Sequence, residues 1–241
     1  MTPILEVKSL VKRYGGRAIV DGLSFSIASG EVVGLLGPNG AGKTTAFYMA
    51  VGLIAPDLGD VFFKGENVTK KPIHVRAKMG LGYLAQEPSI FRGLSVEDNI
   101  LCILETRPLS KSERQAKLQE LLSELHLEHL RKKKATALSG GERRRLEITR
   151  ALVTEPSLLL LDEPFANIDP LAVQDVKELI RILKGKGISV LMTDHNAREI
   201  LTLVDRSYLI QDGRVQLAGT VDELISNEEA RRSYFGKDFH L

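Results

Sequence analysis

The fold of this chain is decided by the stretch Gly37-Pro38-Asn39-Gly40-Ala41-Gly42-Lys43-Thr44-Thr45. It fits the phosphate-binding pattern G-x-x-x-x-G-K-[ST]. A predicted strand, 32–36, precedes it, and a predicted helix from Thr44 to Leu53 follows. Glycines let successive backbone N–H groups turn inward around a phosphate, Lys43 adds charge for the β- and γ-phosphates, and the Thr44 hydroxyl can ligate Mg²⁺. The alternative is a chance glycine-rich turn, but the flanking strand and helix favour a nucleotide site.

Composition limits the classes of protein to which the chain can belong. It has 241 residues, 43% of them hydrophobic, enough for one α/β domain with a sizeable core. The 33 basic and 31 acidic residues give a net charge of +2, so we expect no nucleic-acid partner. Cys102 is the only cysteine, which excludes an internal disulfide and is typical of a reducing compartment. We see neither a secretory signal nor a bilayer-spanning run, and therefore expect a cytoplasmic protein whose membrane role, if any, comes through a partner.

Two carboxylates follow a second apolar run. Residues 157–161 read as a strand buried on both faces, and Asp162 and Glu163 lie at its carboxyl end with Walker B spacing. Asp162 would hold the Mg²⁺ shell, and Glu163 would act as general base toward the attacking water. The alternative is an exposed acidic loop after a strand, which the upstream phosphate loop makes less attractive.

Three other side chains lie where they could reach a nucleotide. Gln86 ends a predicted strand and could point into the ligand crevice, although position alone favours a plain loop glutamine. His195 follows another strand and could donate a hydrogen bond to a γ-phosphate. Tyr14 lies in a predicted turn, Val11–Gly16, between two strands. It could stack on a base or be a half-exposed tyrosine of an edge strand, and position alone favours the latter.

A second anion site is predicted at Leu138-Ser139-Gly140-Gly141-Glu142, which opens a helix. The capping-box spacing of Ser139 and Glu142 is by itself a complete structural explanation. Two glycines in a first helical turn are less ordinary, because each destabilises a helix by about 1 kcal/mol. They would be tolerated where an anion approaches the backbone. Since the chain already has one phosphate site, this second site predicts that two copies meet, each offering the loop to the other's nucleotide.

The order and spacing of these motifs resemble those of ATP-binding-cassette (ABC) ATPases along essentially the whole chain. The LSGGE signature together with a phosphate loop is specific to that family. The resemblance implies ATP and Mg²⁺ as cofactors and a head-to-tail homodimer that closes on two ATP molecules. It also implies that Tyr14 stacks on the adenine and that Gln86 senses Mg²⁺, water and the transporter. Ser139, Gly140 and Gly141 would form the signature that binds the partner's ATP. Asp169 would be the aspartate of the D-loop, and His195 the switch histidine.

The same resemblance implies the fold class and the domain boundaries. We expect an α/β fold: a P-loop NTPase (RecA-like) mixed-sheet core with an antiparallel β subdomain and a helical insertion subdomain. The core would comprise residues 1–87 and 157–226, the helical subdomain 88–156, and a short tail 227–241 whose aromatics pack back on the body. One position departs from the family pattern, because Asn167 stands where the D-loop usually has a small residue.

A narrower resemblance, to the ATPases of lipopolysaccharide-export transporters, extends over several segments. These are residues 34–49, 88–96, 138–146, 162–166 and the terminal Lys237-Asp238-Phe239. In those ATPases the region after the Q-loop, the segment that carries the glutamine corresponding to Gln86, forms a groove that receives helices of the membrane subunits. The resemblance therefore implies that membrane subunits dock near Phe91 and Arg92, on the cytoplasmic face of the inner membrane. The ATPases of branched-chain amino-acid importers share most of the core and remain the alternative. A soluble ABC protein acting on chromosomes or ribosomes is the more distant rival.

Overall fold

Apolar strands without alternation form the centre of the structure, as expected of strands that are covered on both faces. The computed structural model describes residues 2–166, 168–236 and 239. Within these residues the strands are β1 Leu5–Tyr14, β2 Arg17–Ile27, β3 Val32–Leu36, β4 Leu58–Phe63, β5 Glu66–Asn67, β6 Leu81–Leu84, β7 Leu158–Asp162, β8 Ser189–Thr193, β9 Arg206–Gln211 and β10 Arg214–Thr220. The α-helices are α1 Lys43–Val51, α2 Ile73–Lys78, α3 Val96–Leu104, α4 Lys111–Glu124, α5 Gly140–Leu152, α6 Pro170–Gly185, α7 Ala197–Leu201, α8 Val221–Ser226 and α9 Glu228–Ala230. A π-helical turn, Arg231–Phe235, follows α9.

The strands form two sheets. The larger has the order β10-β9-β3-β8-β7-β6, parallel from β9 to β6 with β10 antiparallel at one edge. The smaller is antiparallel, with the order β2-β1-β4-β5. Both sheets lie within one α/β fold that also contains an α-helical segment, so the predicted fold class is confirmed.

Successive residues of the parallel strands face two different hydrophobic clusters. In β7, Leu158 and Leu160 pack with α1 and the antiparallel sheet, whereas Leu159 and Leu161 pack with α3, α4, α5 and α6. Every residue of β3, β7 and β8 is buried. The large sheet is therefore the middle layer, and its position explains why these strands are predominantly apolar.

The remaining elements surround this middle layer. Leu118, Leu121 and Leu122 of α4 are buried, as expected from their helical spacing. Tyr234, Phe235 and Phe239 near the C-terminus pack against the same cluster as the helical segment, which is the packing expected of the tail aromatics. No helix in residues 2–166, 168–236 and 239 combines the length and hydropathy that a membrane span requires.

Two local expectations are wrong. The predicted turn Val11–Gly16 is shorter, because β1 continues to Tyr14 and pairs with β2 up to Arg17, leaving only Gly15 and Gly16 in the turn. The helix after the phosphate loop runs from Lys43 to Val51 rather than from Thr44 to Leu53, since Gly52 adopts a left-handed conformation and caps it.

A buried arginine supports the far end of this helix. Arg76 of α2 is 1% exposed, and its Nη1 donates to the carbonyl oxygens of Met49 (3.0 Å) and Ala50 (2.7 Å) in the last turn of α1. Its Nε and Nη2 donate to the carbonyls of Lys71 and Thr69. Burial lowers the pKa of Arg76 to about 10, so the side chain stays charged at neutral pH. Arg76 thus satisfies helix carbonyls that have no partner within the helix.

Replacing Arg76 by Ala is expected to lower the free energy of unfolding by about 2–4 kcal/mol, because the change leaves buried carbonyls unpaired and opens a cavity. Urea denaturation measures this difference. Arg181→Ala is the matched control, since Arg181 pairs with Glu178 on the exposed face of α6. It should change stability by less than about 1 kcal/mol. Equal losses in the two variants would contradict the capping role of Arg76.

Candidate functional site

The phosphate loop connects the end of β3 to the start of α1, and two of its glycines are required by close backbone approach. Gly37 has φ 148°, and a Cβ there would lie 2.1 Å from the carbonyl oxygen of Ile210. Gly42, with φ 97°, would place a Cβ 2.6 Å from the carbonyl oxygen of Ile19. A side chain at either position would displace neighbouring backbone, so the loop keeps this shape only with glycine.

The loop encloses a cavity of about 160 Å³. Its lining consists of Asn39, Gly40, Ala41, Gly42, Lys43, Thr44 and Thr45 from the loop and α1, together with Ile19, Glu163 and His195. Gly37 and Pro38 lie beside it and accept hydrogen bonds from Lys43 Nζ through their carbonyl oxygens, at 2.6 and 3.0 Å. The structure thus brings the predicted loop residues together with two residues from distant parts of the chain.

The Lys43 ammonium is partly desolvated. Burial lowers its pKa, and the negative charges of Glu163 and Asp194 oppose that shift. Its two bonds to loop carbonyls satisfy some of its donors. A phosphate in the cavity would offer a charged acceptor to the same ammonium, and a bond to a charged acceptor is stronger than one to a carbonyl.

Sheet topology explains how the other predicted residues reach this cavity. The strands β3, β8, β7 and β6 are neighbours in that order and run parallel, so the chain leaves all four at one edge. Lys43 follows β3, His195 follows β8, Glu163 follows β7 and Gln86 follows β6. These four side chains are therefore arranged along the carboxyl edge of the sheet, where ligands bind in open α/β folds.

Glu163 is the point where these side chains meet. Its Oε2 accepts a hydrogen bond from Gln86 Nε2 at 2.8 Å and lies 3.6 Å from His195 Nδ1. The Glu163 backbone has φ 44°, a left-handed conformation that is strained for a residue with a side chain. Its N–H donates to the Thr193 carbonyl oxygen at 2.8 Å, which ties the strained residue to β8. Such strain is typical of functional positions that the surrounding structure enforces.

Asp162 is buried beneath Glu163. It is 2% exposed, and burial raises its pKa above the ordinary value. Hydrogen bonding from Tyr48 and Tyr83 opposes this shift, and burial together with the Asp162 carboxylate raises the pKa of both phenols. Within the described residues, Asp162 Oδ1 has no hydrogen-bond partner. An unpaired buried carboxylate oxygen fits a cation such as Mg²⁺, which prefers oxygen ligands.

Asp194, the residue before His195, is a part of the site for which the sequence predicts no role. Asp194 is 1% exposed; its Oδ2 accepts from the Phe165 N–H at 2.9 Å and its Oδ1 accepts from the Asn196 N–H at 2.9 Å. Its Oδ1 also lies 3.6 Å from His195 Nδ1. Asp194 therefore joins the segment after Glu163 to the segment that carries the histidine. The available signal was an acidic residue directly after a buried strand.

The Ser139–Glu142 segment caps α5 as predicted. Ser139 Oγ accepts from the Glu142 N–H at 3.2 Å, and a Glu142 carboxylate oxygen accepts from the Ser139 N–H at 2.8 Å. Lys133 lies 3.3 Å from the same carboxylate. Ser139 and Gly140 are exposed. The capping box is thus complete and leaves the tip of the helix accessible.

The two glycines at this helix tip differ in their surroundings. A Cβ on Gly141 would lie 2.8 Å from Asp175 Oδ2 and 3.5 Å from the Cβ of Ala172, both on α6. Among the described residues, a Cβ on Gly140 would approach only Ile168, at 4.0 Å. Packing within the chain therefore explains Gly141. No contact within residues 2–166, 168–236 and 239 explains the glycine at position 140.

The tip of α5 does not reach the phosphate-loop cavity of its own chain. Gly140 instead lines a second cavity, of about 190 Å³, that also contains Gln86 and Glu163. Residues 139–142, all of them described, are absent from the lining of the phosphate-loop cavity. Among the described residues, the linings of the two cavities have only Glu163 in common, so the two predicted anion sites are separate within one chain.

Three predicted residues lie away from both cavities. Tyr14 ends β1, is 49% exposed and has the Lys12 ammonium 5.7 Å from its ring centre, so adenine stacking stays a prediction. Phe91 is also 49% exposed and Arg92 is exposed. The Arg150 guanidinium lies 4.7 Å from the Phe91 ring centre. Asn167 and the tail residues Lys237 and Asp238 lie outside the described residues.

Comparison with known proteins now connects this geometry to a family. The ABC transporter family profile matches residues 20–166, from β2 to just beyond Glu163. The chain belongs to the ABC transporter ATP-binding family. The expected family resemblance is therefore confirmed. The match begins beyond Tyr14 and ends before His195, so the roles of these two residues stay predictions.

Such relatives align along nearly the whole chain. The lipopolysaccharide export system ATP-binding protein LptB of Acidithiobacillus ferridurans is 53% identical over 241 residues, covering 100% of both chains. The protein of the same name from Escherichia coli K12 is 48% identical and covers 98% of this chain and 99% of its own. Among solved structures, an ATP-binding cassette of an ABC transporter in its ADP conformation matches with a TM-score of 0.86 and 29% identity, over 98% of this chain and 100% of that one.

The contrast between the two glycines predicts different effects of alanine. Gly141→Ala should lower the free energy of unfolding by about 1 kcal/mol, because the new methyl group displaces the Asp175 carboxylate, which pairs with Arg145, and the gain in helix propensity offsets only part of that cost. Gly140→Ala is the control at the adjacent position, and it should leave stability unchanged or raise it by up to about 1 kcal/mol. Urea denaturation of both variants measures the difference. A larger loss in the Gly140 variant would contradict the packing assignment.

Proposed function

We propose that this ABC family member hydrolyses ATP to ADP and phosphate and uses the energy for membrane transport. The observation that carries the proposal is the position of the Glu163 carboxylate. It borders the phosphate-loop cavity, accepts a hydrogen bond from Gln86 and lies beside His195. A carboxylate at this place can take a proton from water near the end of a triphosphate that lies in the loop.

The loop residues bind and orient the triphosphate in this proposal. Backbone N–H groups of Gly40 and Gly42 and the N-terminus of α1 face the phosphates, and Lys43 exchanges its loop carbonyls for phosphate oxygens. The Thr44 hydroxyl and the unpaired Asp162 oxygen would hold Mg²⁺, with Gln86 beside them. Bound Mg²⁺ supplies charge neutralisation for the phosphate oxygens.

Three side chains have different roles toward the attacking water and the γ-phosphate: those of Glu163, His195 and Gln86. Glu163 accepts the proton of the water. The Gln86 amide donates to the ionised carboxylate, which favours that form and fixes its direction. His195, held by its position after Asp194, donates toward the γ-phosphate. General-base catalysis of this kind contributes about 10²–10⁴ in rate.

We propose in addition that two copies of the chain close head to tail on two ATP molecules. The tip of α5, with Ser139 and Gly140, is exposed and does not line the phosphate-loop cavity of its own chain. The open space at Gly140 suits close approach by a phosphate of the opposite chain. Tyr14, exposed at the end of β1, would stack on the adenine.

Glu163→Gln tests the catalytic part of the proposal. The amide cannot accept the proton of water, so turnover should fall by about 10²–10⁴, whereas affinity for labelled ATP is retained. Size-exclusion chromatography with ATP should show the variant accumulating as a dimer. Lys43→Ala is the comparison variant, because it should lose nucleotide affinity and with it the ATP-dependent dimer. Near-normal turnover of the Glu163 variant would remove Glu163 from this role.

The names of the relatives support a specific kind of transport. Two lipopolysaccharide-export ATP-binding proteins align with 98–100% of this chain at 48–53% identity. We propose that this chain powers lipopolysaccharide extraction from the inner membrane, at whose cytoplasmic face it binds transmembrane subunits. The close full-length relatives favour this role over that of a branched-chain amino-acid importer.

The exposed surface around Phe91 and Arg92 is the proposed docking place. The Phe91 N–H donates to Asn99 Oδ1 at 2.8 Å, and Asn99 Nδ2 donates to the Phe91 carbonyl oxygen at 3.0 Å. Asn99 is itself fully buried. The backbone is thus fixed while the phenyl ring stays exposed under Arg150, as a preformed contact for a partner requires.

Phe91→Ala should abolish retention of the chain by membrane subunits while leaving its own ATP turnover unchanged. Co-purification from detergent-solubilised membranes measures retention. Vesicles containing the recovered complex then test whether lipopolysaccharide, but not a branched-chain amino acid, moves on ATP addition. Leu58→Ala is the control, because Leu58 is another exposed apolar side chain, on β4. Full retention of the Phe91 variant would exclude this docking surface, and amino-acid movement would favour the importer.

A further inference from the structure

Two charged side chains of α5 are buried together behind the candidate site. Arg144 is 8% exposed and Glu147 is 5% exposed, and Arg144 Nη1 lies 2.9 Å from Glu147 Oε2. Removing two charges from water is costly, so a buried ion pair is by itself weak evidence of stabilisation. The further contacts of these two side chains therefore indicate what the pair contributes.

Both side chains bond the backbone of the segment that carries Gln86. Arg144 Nη1 donates to the carbonyl oxygen of Ala85 at 3.3 Å. Glu147 Oε1 accepts from the Ser89 N–H at 3.2 Å. Ala85 directly precedes Gln86, and Ser89 follows it three positions later. One helix therefore holds this exposed loop on both sides of the glutamine.

The same helix begins at the exposed signature tip. Gly140 is its first residue, and Arg144 and Glu147 lie in the next two turns. At the other side of the loop, Gln86 Nε2 donates to Glu163 Oε2 at 2.8 Å. A continuous path of bonds thus runs from α5, through the backbone of the Gln86 loop, to the carboxylate beside the phosphate-loop cavity.

We propose that Arg144 and Glu147 are positioning residues that hold Gln86 where its amide bonds Glu163. This inference rests on the proposed ATPase function. In the proposed dimer the tip of α5 faces the opposite chain. Because Arg144 and Glu147 bond the backbone of the Gln86 loop, movement of α5 would carry that loop with it. Contact of the α5 tip with the nucleotide of the opposite chain is thereby linked to the geometry of Glu163 beside the nucleotide of its own chain.

Arg144→Met should lower kcat for ATP by about 10-fold or more, because a displaced Gln86 no longer orients Glu163. KM and the affinity for labelled ATP should stay within about twofold, since Arg144 does not line the phosphate-loop cavity. Arg144→Lys should retain most of the activity. Only Nη1 makes the observed bonds, and a lysine ammonium can replace one nitrogen even though it cannot replace a guanidinium fork.

The decisive measurement is a double-mutant cycle with Gln86→Ala. If Arg144 acts through Gln86, Arg144→Met should change kcat by less than about twofold once Gln86 is alanine. Arg145→Met is the matched control, because Arg145 is an ion-paired arginine on the same helix that bonds Asp175 of α6 at 2.6 Å instead of the loop. Its effect on kcat should be the same, within about twofold, with and without Gln86.

If Arg144→Met does not fold, the double variant Arg144→Met/Glu147→Met replaces it, because an uncharged pair of similar volume is often tolerated at a buried site. Equal effects of Arg144 substitution in the two Gln86 backgrounds would overturn the inference. A lysine variant as slow as the methionine variant would do the same. If the unsubstituted chain shows no ATP turnover, both the proposed function and this inference are refuted. If the unsubstituted chain is active but the effects of the Arg144 and Gln86 substitutions on kcat multiply, this inference alone is refuted.

Discussion

Parallel pairing in the order β3, β8, β7 and β6 forces the chain to leave all four strands at one edge of the sheet. Each strand is followed by a residue with a candidate role, and nearly every strand residue is buried, so the edge is a rigid base. Lys43, His195, Glu163 and Gln86 are far apart in sequence and become neighbours only through this topology. The chemistry of the site thus depends on backbone hydrogen bonds between apolar strands.

This rigid base holds several groups in states they would not adopt alone. Glu163 has a left-handed backbone conformation, and the Oδ1 atom of Asp162 is buried without a partner among the described residues. Burial also lowers the pKa of Lys43 and raises that of Asp162, so both groups lose part of the preference for their charged forms. A triphosphate and a cation would supply the missing partners. Strain and unpaired charge at one place are typical of a site organised for a ligand.

The part of this arrangement that depends on neighbours in sequence could be predicted. The phosphate loop and the Asp162-Glu163 pair each lie within one short segment, and their flanking strand and helix patterns were sufficient to place them. The extension of β1 to Tyr14 was not predicted, because it depends on pairing with β2 rather than on local pattern. The sequence pattern likewise does not predict the roles of Asp194 and Arg76, or why position 141 is a glycine. Each depends on a contact with a distant segment that no periodicity indicates.

The contrast between Gly140 and Gly141 shows where one chain stops being sufficient. Gly141 contacts Asp175 and Ala172 of its own α6, whereas Gly140 is exposed and has only Ile168 near it among the described residues. A helix N-terminus that is exposed and capped attracts an anion, yet the phosphate loop of the same chain lies elsewhere. Since α5 also bonds the backbone of the Gln86 loop, an anion at its tip would restrain the residue whose amide bonds Glu163. A second chain that brings its nucleotide to this tip would thus complete its own nucleotide site. Through α5, the same contact would change the position of Gln86 at the nucleotide site of the first chain.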